Sequence, residues 1–343
     1  MVELSPSQNL MRRVVSPTRL LALAVSTVIV VSLYRRMDRG SLREVLTRLD
    51  VRWLLMALAA LGASLSLASW RWHQMLRLSN AQLRPADSWR WTLIGHCFSG
   101  FFFGAAVSDV AKSSLYSRWK GFGMTQILAA SALDRVVGAI STGIYTLLTV
   151  GLALVAAPAF PTLGWKTPKL VEWILVLSGA VLLGLGGMWM TQRRWLPHVR
   201  RFYGSVKSMT SLLKGRPGLI VQAVLAGLLM QVLISAVLAC SLQAVSDQPL
   251  PWKLLLWTFP VIGVVASLPL TISGAGAREG ASIVLWGGLG IPASMAFSAS
   301  LLTLCVTLLW ALCGGGLLWY EATLSRRSAT LPTSSPRSSP CEQ

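Results

Sequence analysis

Charge is what this chain has least of, and negative charge above all. Only 13% of its 343 residues are charged, and Asp and Glu together number 12. A soluble domain of this length carries about 25%. Between Glu172 and Asp247 there is no acid at all. That poverty excludes an ordinary soluble fold. Histidine is scarce too: His73, His96 and His198 are scattered, and none lies near a nucleophile or a second ligand. The five cysteines (Cys97, Cys240, Cys305, Cys313 and Cys341) lack CxxC spacing and sit mostly in apolar runs. They read as small hydrophobic residues, so no metal, cofactor or disulfide framework is expected. No nucleophile–base arrangement is present either, and the chain reads as a non-enzyme. The segment after Thr18 lacks a small-residue cleavage site and runs on into arginines, so no cleavable signal peptide is expected.

What remains is apolar. Hydrophobic residues make up 54% of the chain, and the mean hydropathy is +0.60. Apolar blocks fall at about 18–34, 52–70, 89–107, 124–157, 170–190, 217–243, 252–272 and 280–320. Several exceed the roughly 17–25 residues a helix needs to cross a hydrocarbon core. The chain is therefore expected to be an all-α polytopic membrane protein. A single transmembrane domain would cover residues 1–321, and the Ser-, Thr- and Pro-rich residues 322–343 would form a disordered cytoplasmic tail. No soluble catalytic domain is expected at either end.

The basic excess, 31 Lys and Arg against 12 acids, lies between the apolar blocks. Cytoplasmic loops facing anionic lipid explain it better than nucleic acid does. Seven Lys or Arg fall within 193–216, which marks that segment as cytoplasmic, while 158–169 and 244–251 suit the outer side. In 35–52, Leu42, Val45, Leu46 and Leu49 follow the spacing of one helix face among six arginines. That pattern predicts an interfacial amphipathic helix.

An internal repeat is visible at a constant offset of 167 residues: Gly121 falls on Gly288, Gly123 on Gly290, Ala129 on Ala296, Ser131 on Ser298 and Lys112 on Glu279. Each copy runs apolar block, small-residue break, charged pair, short apolar segment, G-x-G, long helix. The scheme predicts two hairpins that enter the membrane and turn back. One descends through 89–107, breaks around Ala105–Asp109 and returns through 110–119. The other descends through 252–268, breaks around Pro269–Ala277 and returns through 278–288. Six full spans then remain (18–34, 52–70, 124–157, 170–190, 217–243 and 292–320), three in each half. The halves, about 18–157 and 170–320, would be inverted, a transporter design.

Three charged pairs stand out against this background: Asp109 with Lys112, Arg278 with Glu279 (Ser282 one turn on), and Asp134 with Arg135. A charge at a bilayer centre costs about 2.5–3.5 kcal/mol on insertion scales. Such residues persist where they face the bundle interior, pair or meet water, or merely anchor a helix end at the headgroups. The segment "SGAGA" before Arg278 supplies backbone freedom that an anchor does not need. Gly274 and Gly276 let the chain reverse and free N–H groups for an anion, and Arg278 adds a bidentate donor suited to phosphate. Glu279 would neutralise Arg278 or Lys112 when no substrate is bound. Polar stripes (Ser131, Asp134, Gly138, Ser141 or Thr142, Tyr145; and Ser300, Thr303, Thr307) either pack helices closely or line a groove for head groups. The Gly314–Gly316 run reads as a tight helix contact or kink.

"LPLTISGAGAREGASIVLWGGLGIP" resembles the signature of the flippase-like membrane region of lysylphosphatidylglycerol synthases and their stand-alone relatives, with its Pro, Gly-rich turn, Arg-Glu pair and Leu-Gly-rich return. "VSDVAKSSLYSRW…ALDRVVG" is similar to the family's earlier block, in which a Gly-Gly-Asp turn precedes a basic residue and a later Asp-Arg. This chain has Val107-Ser108 where glycines are usual, and Lys112 where Arg is usual. The family's aminoacyl-transferring domain is absent from the chain, so the resemblance implies the translocating half alone.

The expectation is a translocase of the bacterial inner membrane. Arg278 and Lys112 would engage the anionic head group of a phospholipid or lipid-linked intermediate, and Glu279, Asp109 and Asp134 would balance charge. Its partners would be membrane lipids and no nucleic acid, with a homo-oligomer or an envelope-biosynthesis partner left open. The rival expectation is a non-transporting membrane partner of a glycosyltransferase or envelope-assembly complex. An integral enzyme acting on lipid phosphate has little support.

Overall fold

A computed structural model describes residues 49–78, 84–101, 104–120, 123–156, 196–246, 250–267 and 274–330. The expected spans 18–34 and 170–190, and nearly all of the amphipathic stretch 35–52, lie outside them. The described residues form helices α1 (Val51–Arg77), α2 (Pro85–Phe101), α3 (Gly104–Lys120), α4 (Met124–Ala156), α5 (Leu196–Lys214), α6 (Pro217–Gln243), α7 (Trp252–Leu255), α8 (Thr258–Ser267), α9 (Ala277–Gly287) and α10 (Ala293–Thr330). Four of them, α1, α4, α6 and α10, are long and apolar enough to cross a membrane.

Local chemistry sets several boundaries. Asp50 caps α1 by accepting a hydrogen bond from the Arg52 N–H at 2.9 Å. Pro217 opens α6, where its missing N–H costs nothing. Helix α10 runs past the expected end of the domain at 321, to Thr330. The sequence after Gly316 offers no breaker until Pro332. The basic linker is likewise not an open loop, because α5 occupies 196–214. Met209 and Leu213 are buried in the core on one side of it, with Val206 packed against them.

Contacts along the helices give their directions. The Asp50 N–H donates to the Ala244 carbonyl at 3.0 Å, while Arg71 lies against Gly227, so α1 and α6 run antiparallel. Helix α4 starts beside the end of α1, where the Trp72 indole donates to Ser131 at 3.0 Å. It then follows α6 in the same sense: Ser141 reaches the Val224 carbonyl at 3.2 Å, and Leu152 comes beside Ala239. Helix α10 runs the other way. It begins near Leu238 and Leu242 through Ala296 and Ala299, passes Leu58 at Trp310 (3.0 Å), and reaches Arg90 at Glu321 (3.7 Å). Helices α4 and α10, which follow the two expected hairpins, are thus antiparallel.

Both hairpins form. In the first, Trp91 meets Tyr116 edge to face at 5.1 Å, and Gly95 lies beside Ser108 and Lys112. The expected break around Ala105–Asp109 is helical, because α3 already begins at Gly104. Alanine is the best helix former, so "GAAVSD" propagates the helix instead of breaking it. In the second, Phe259 meets Trp286 at 6.2 Å and Gly274 lies against Ala266. Its descending arm is two short helices, α7 and α8, not one continuous segment.

Each hairpin has its own core at one end of the bundle. Trp72, Met75, Trp91, Tyr116, Ile127 and Met209 pack at one end. Leu242, Leu255, Phe259, Ile262, Trp286 and Ala296 pack at the other. Leu147, Leu148 and Val155 are largely exposed on α4, as residues facing hydrocarbon are, since lipid tails are as apolar as leucine. Gly314 is a tight contact: a Cβ there would overlap the Leu93 carbonyl of α2.

Candidate functional site

Between the two cores lies a cavity of about 430 Å³. Its wall draws on α1, α2, α3, α4 and α6, and on Ser267 at the end of α8. Both hairpins therefore contribute to it, from opposite ends of the bundle.

Five charged side chains line it: the cations Arg71, Lys112 and Arg135, and the carboxylates Asp109 and Asp134. The Arg71 guanidinium holds Asp134 with two hydrogen bonds, Nε to Oδ1 at 2.6 Å and Nη2 to Oδ2 at 3.1 Å. That fork is the strongest ion-pair geometry available to a carboxylate. Asp109 is shared, with Arg135 Nε at 2.5 Å and Lys112 Nζ at 3.5 Å. Lys112 is only 6% exposed, and its ammonium also sits 3.9 Å from the Trp72 ring centroid, a cation–π contact. His96 adds a ring N–H that donates to the Thr307 carbonyl at 3.2 Å. Three cations face two carboxylates, so the lining carries an excess of one positive charge.

The predicted pairs are partly redrawn. Asp109 and Lys112 do pair, on one face of α3. Asp134 and Arg135 do not pair with each other: Asp134 is taken by Arg71 of α1 and Arg135 by Asp109 of α3. Consecutive residues on a helix point about 100° apart, so on α4 each of the two meets a different neighbouring helix. Arg71 was missing from the sequence reading, because the apolar window ended at residue 70. Its signal was a lone arginine set between tryptophans in "SWRWH".

Arg278 and Glu279 stand apart from the cavity lining and are buried, with Glu279 fully so. Arg278 Nη2 donates to Glu279 Oε1 at 3.1 Å, and its Nε donates to Ser300 at 3.2 Å. The Ser300 hydroxyl in turn donates to Glu279 at 3.0 Å. The other Glu279 oxygen accepts from the Gly276 N–H at the start of α9. The Gly276 N–H, expected to be free for a substrate anion, is thus taken by the carboxylate of this helix's own first turn. Gly274 and Gly276 have φ of +73° and +90°, a region that glycine alone enters freely. Gly274 also lets the two arms touch, since a Cβ there would come within 2.7 Å of the Ala266 carbonyl. Ser282 is fully buried, and its hydroxyl has no partner among the described residues. The repeat places Lys112 and Glu279 at equivalent positions, but the structure does not join them: each is neutralised within its own hairpin.

Among the described residues no cluster of His, Cys, Asp or Glu could hold a metal ion. The chain matches, over residues 19–315, the family described as the lysylphosphatidylglycerol synthase TM region. A search of curated proteins finds no match.

Proposed function

The chain belongs to the lysylphosphatidylglycerol synthase transmembrane-region family, a multi-pass membrane domain of lipid modification and transport, and from that premise we propose that it moves an anionic lipid between leaflets without chemical change. The observation that carries this reading is the cavity at which the two hairpins meet, with three cations against two carboxylates on its wall. An anion entering there replaces resident carboxylates as partners of Lys112 and Arg135, and so exchanges one set of charge-assisted hydrogen bonds for another. The charged head group is thereby spared the core of the bilayer, where an unpaired charge is costly.

Orientation follows from the basic residues. Arg90 at the start of α2 meets Glu321 near the end of α10, and the basic helix α5 packs on the same core as the Arg77 end of α1; we take this end to face the cytoplasm. The first hairpin then enters from the cytoplasmic side and the second from the outside. With the spans that the sequence alone predicts at 18–34 and 170–190, the proposed topology is six full crossings and two re-entrant hairpins in the bacterial inner membrane. Rocking of one half against the other would expose the cavity to each side in turn.

The test is leaflet exchange of fluorescent phosphatidylglycerol in proteoliposomes. Lys112→Ala and Asp134→Asn should fall to the rate of protein-free vesicles. If both exchange lipid as the parent does, the site assignment is wrong. If the pure parent moves no lipid but copurifies with a stable envelope-assembly partner, the accessory reading replaces this one.

A further inference from the structure

A second, open groove of about 600 Å³ lies farther along α4 and α6. The last cavity residues on α4 and α6 are Thr142 and Met230, and the groove begins at Tyr145 and Val232. The two helices run in the same sense, so this junction falls at one height, and less than a helical turn separates the two spaces. Farther along, the groove is apolar, with Leu152, Ala239, Trp252, Leu256 and Phe259.

The junction itself is polar. Gln231 Nε2 donates to Thr142 Oγ1 and ties α6 to α4. The Thr142 hydroxyl proton is already committed to the Gly138 carbonyl at 2.9 Å. One turn on from each lie Tyr145, 8% exposed, and Ser235, 5% exposed. Both line the groove, and neither hydroxyl has a hydrogen-bond partner among the described residues. Both hydroxyls open onto the groove and can donate to an acceptor that enters it.

Read from cavity to groove, the wall is charged, then hydroxylic, then apolar. A glycerophospholipid has the same order: phosphate, ester carbonyls, hydrocarbon. A polyprenyl phosphate lacks the middle zone, because its phosphate joins the hydrocarbon directly. We infer that Tyr145 and Ser235 form a neck that reads the ester carbonyls of a diacyl phospholipid while its chain lies between α4 and α6. This rests on the translocase reading and narrows its substrate to ester-linked lipids.

The experiment compares two probes in proteoliposomes of one composition: a fluorescent phosphatidylglycerol with ester-linked chains and its diether analogue, which has the same head group and no carbonyls. The parent should move the ester probe about three- to tenfold faster, the worth of one neutral hydrogen bond. Tyr145→Phe combined with Ser235→Ala should slow the ester probe to the diether rate and leave the diether rate unchanged. Equal rates in the parent, or equal slowing of both probes in the variant, overturn the inference and leave the translocase reading intact. Movement of neither probe by the parent overturns both.

Discussion

The two hairpins share a design and use charge in opposite ways. In α2–α3 the charged groups reach outward: Asp109 bridges Lys112 of its own helix and Arg135 of α4, on the wall of an open cavity. In α8–α9 they turn inward, and Glu279 is consumed by Arg278, Ser300 and the Gly276 N–H with no exposed surface left. An ion pair shared between helices beside a cavity can change partners. A pair sealed inside one turn is a fastener. The same sequence scheme thus leaves exchangeable ion pairs on a cavity wall in one region and a closed turn in the other.

Substitutions can break that contrast. The largest effect is expected for Glu279→Ala, which leaves Arg278 buried without a counter-charge and should cost about 3–5 kcal/mol of stability, read as a lowered midpoint of unfolding in detergent. If Glu279→Ala unfolds no earlier than Asp109→Asn, the two hairpins do not differ in the way described. Next comes Asp134→Asn, which strips Arg71 of its bidentate partner. It should cost about 1.5–3 kcal/mol and abolish leaflet exchange. Gly274→Ala forces a side chain into positive φ against the Ala266 carbonyl, at about 1–2 kcal/mol; limited proteolysis should show the second hairpin loosened and the first unchanged. Smallest in stability is Arg135→Ala, because that side chain is 44% exposed and such pairs are worth about 0–1 kcal/mol. It sharpens the contrast most: lipid exchange should fall while the unfolding midpoint holds.

Much of the site was legible in sequence, and the failures have physical causes. Asp109 and Lys112 were found as a pair because three residues on a helix return to one face. Asp134 and Arg135 were found as charges but assigned to each other, since adjacency in sequence was taken for adjacency in space. Arg71 was passed over because an apolar window weighs composition and cannot see a single cation turned into the bundle. The small residues of Ala105–Asp109 suggest a break, yet alanine favours the helix and α3 runs through them. Glu279 matched Lys112 in the repeat, yet equivalent positions in inverted halves lie in different hairpins and need not meet.

By itself the sequence determined the class of solvent, the long apolar helices, and the glycines, Gly274 and Gly276, at which the backbone takes positive φ before α9. These depend on run length, periodicity and backbone freedom, all local along the chain. Tertiary structure alone decided which cation neutralises which carboxylate, that Arg71 belongs to the site, and that Arg278 and Glu279 are spent on each other. Those outcomes depend on which helix faces which, and that is settled only when five helices close around one cavity.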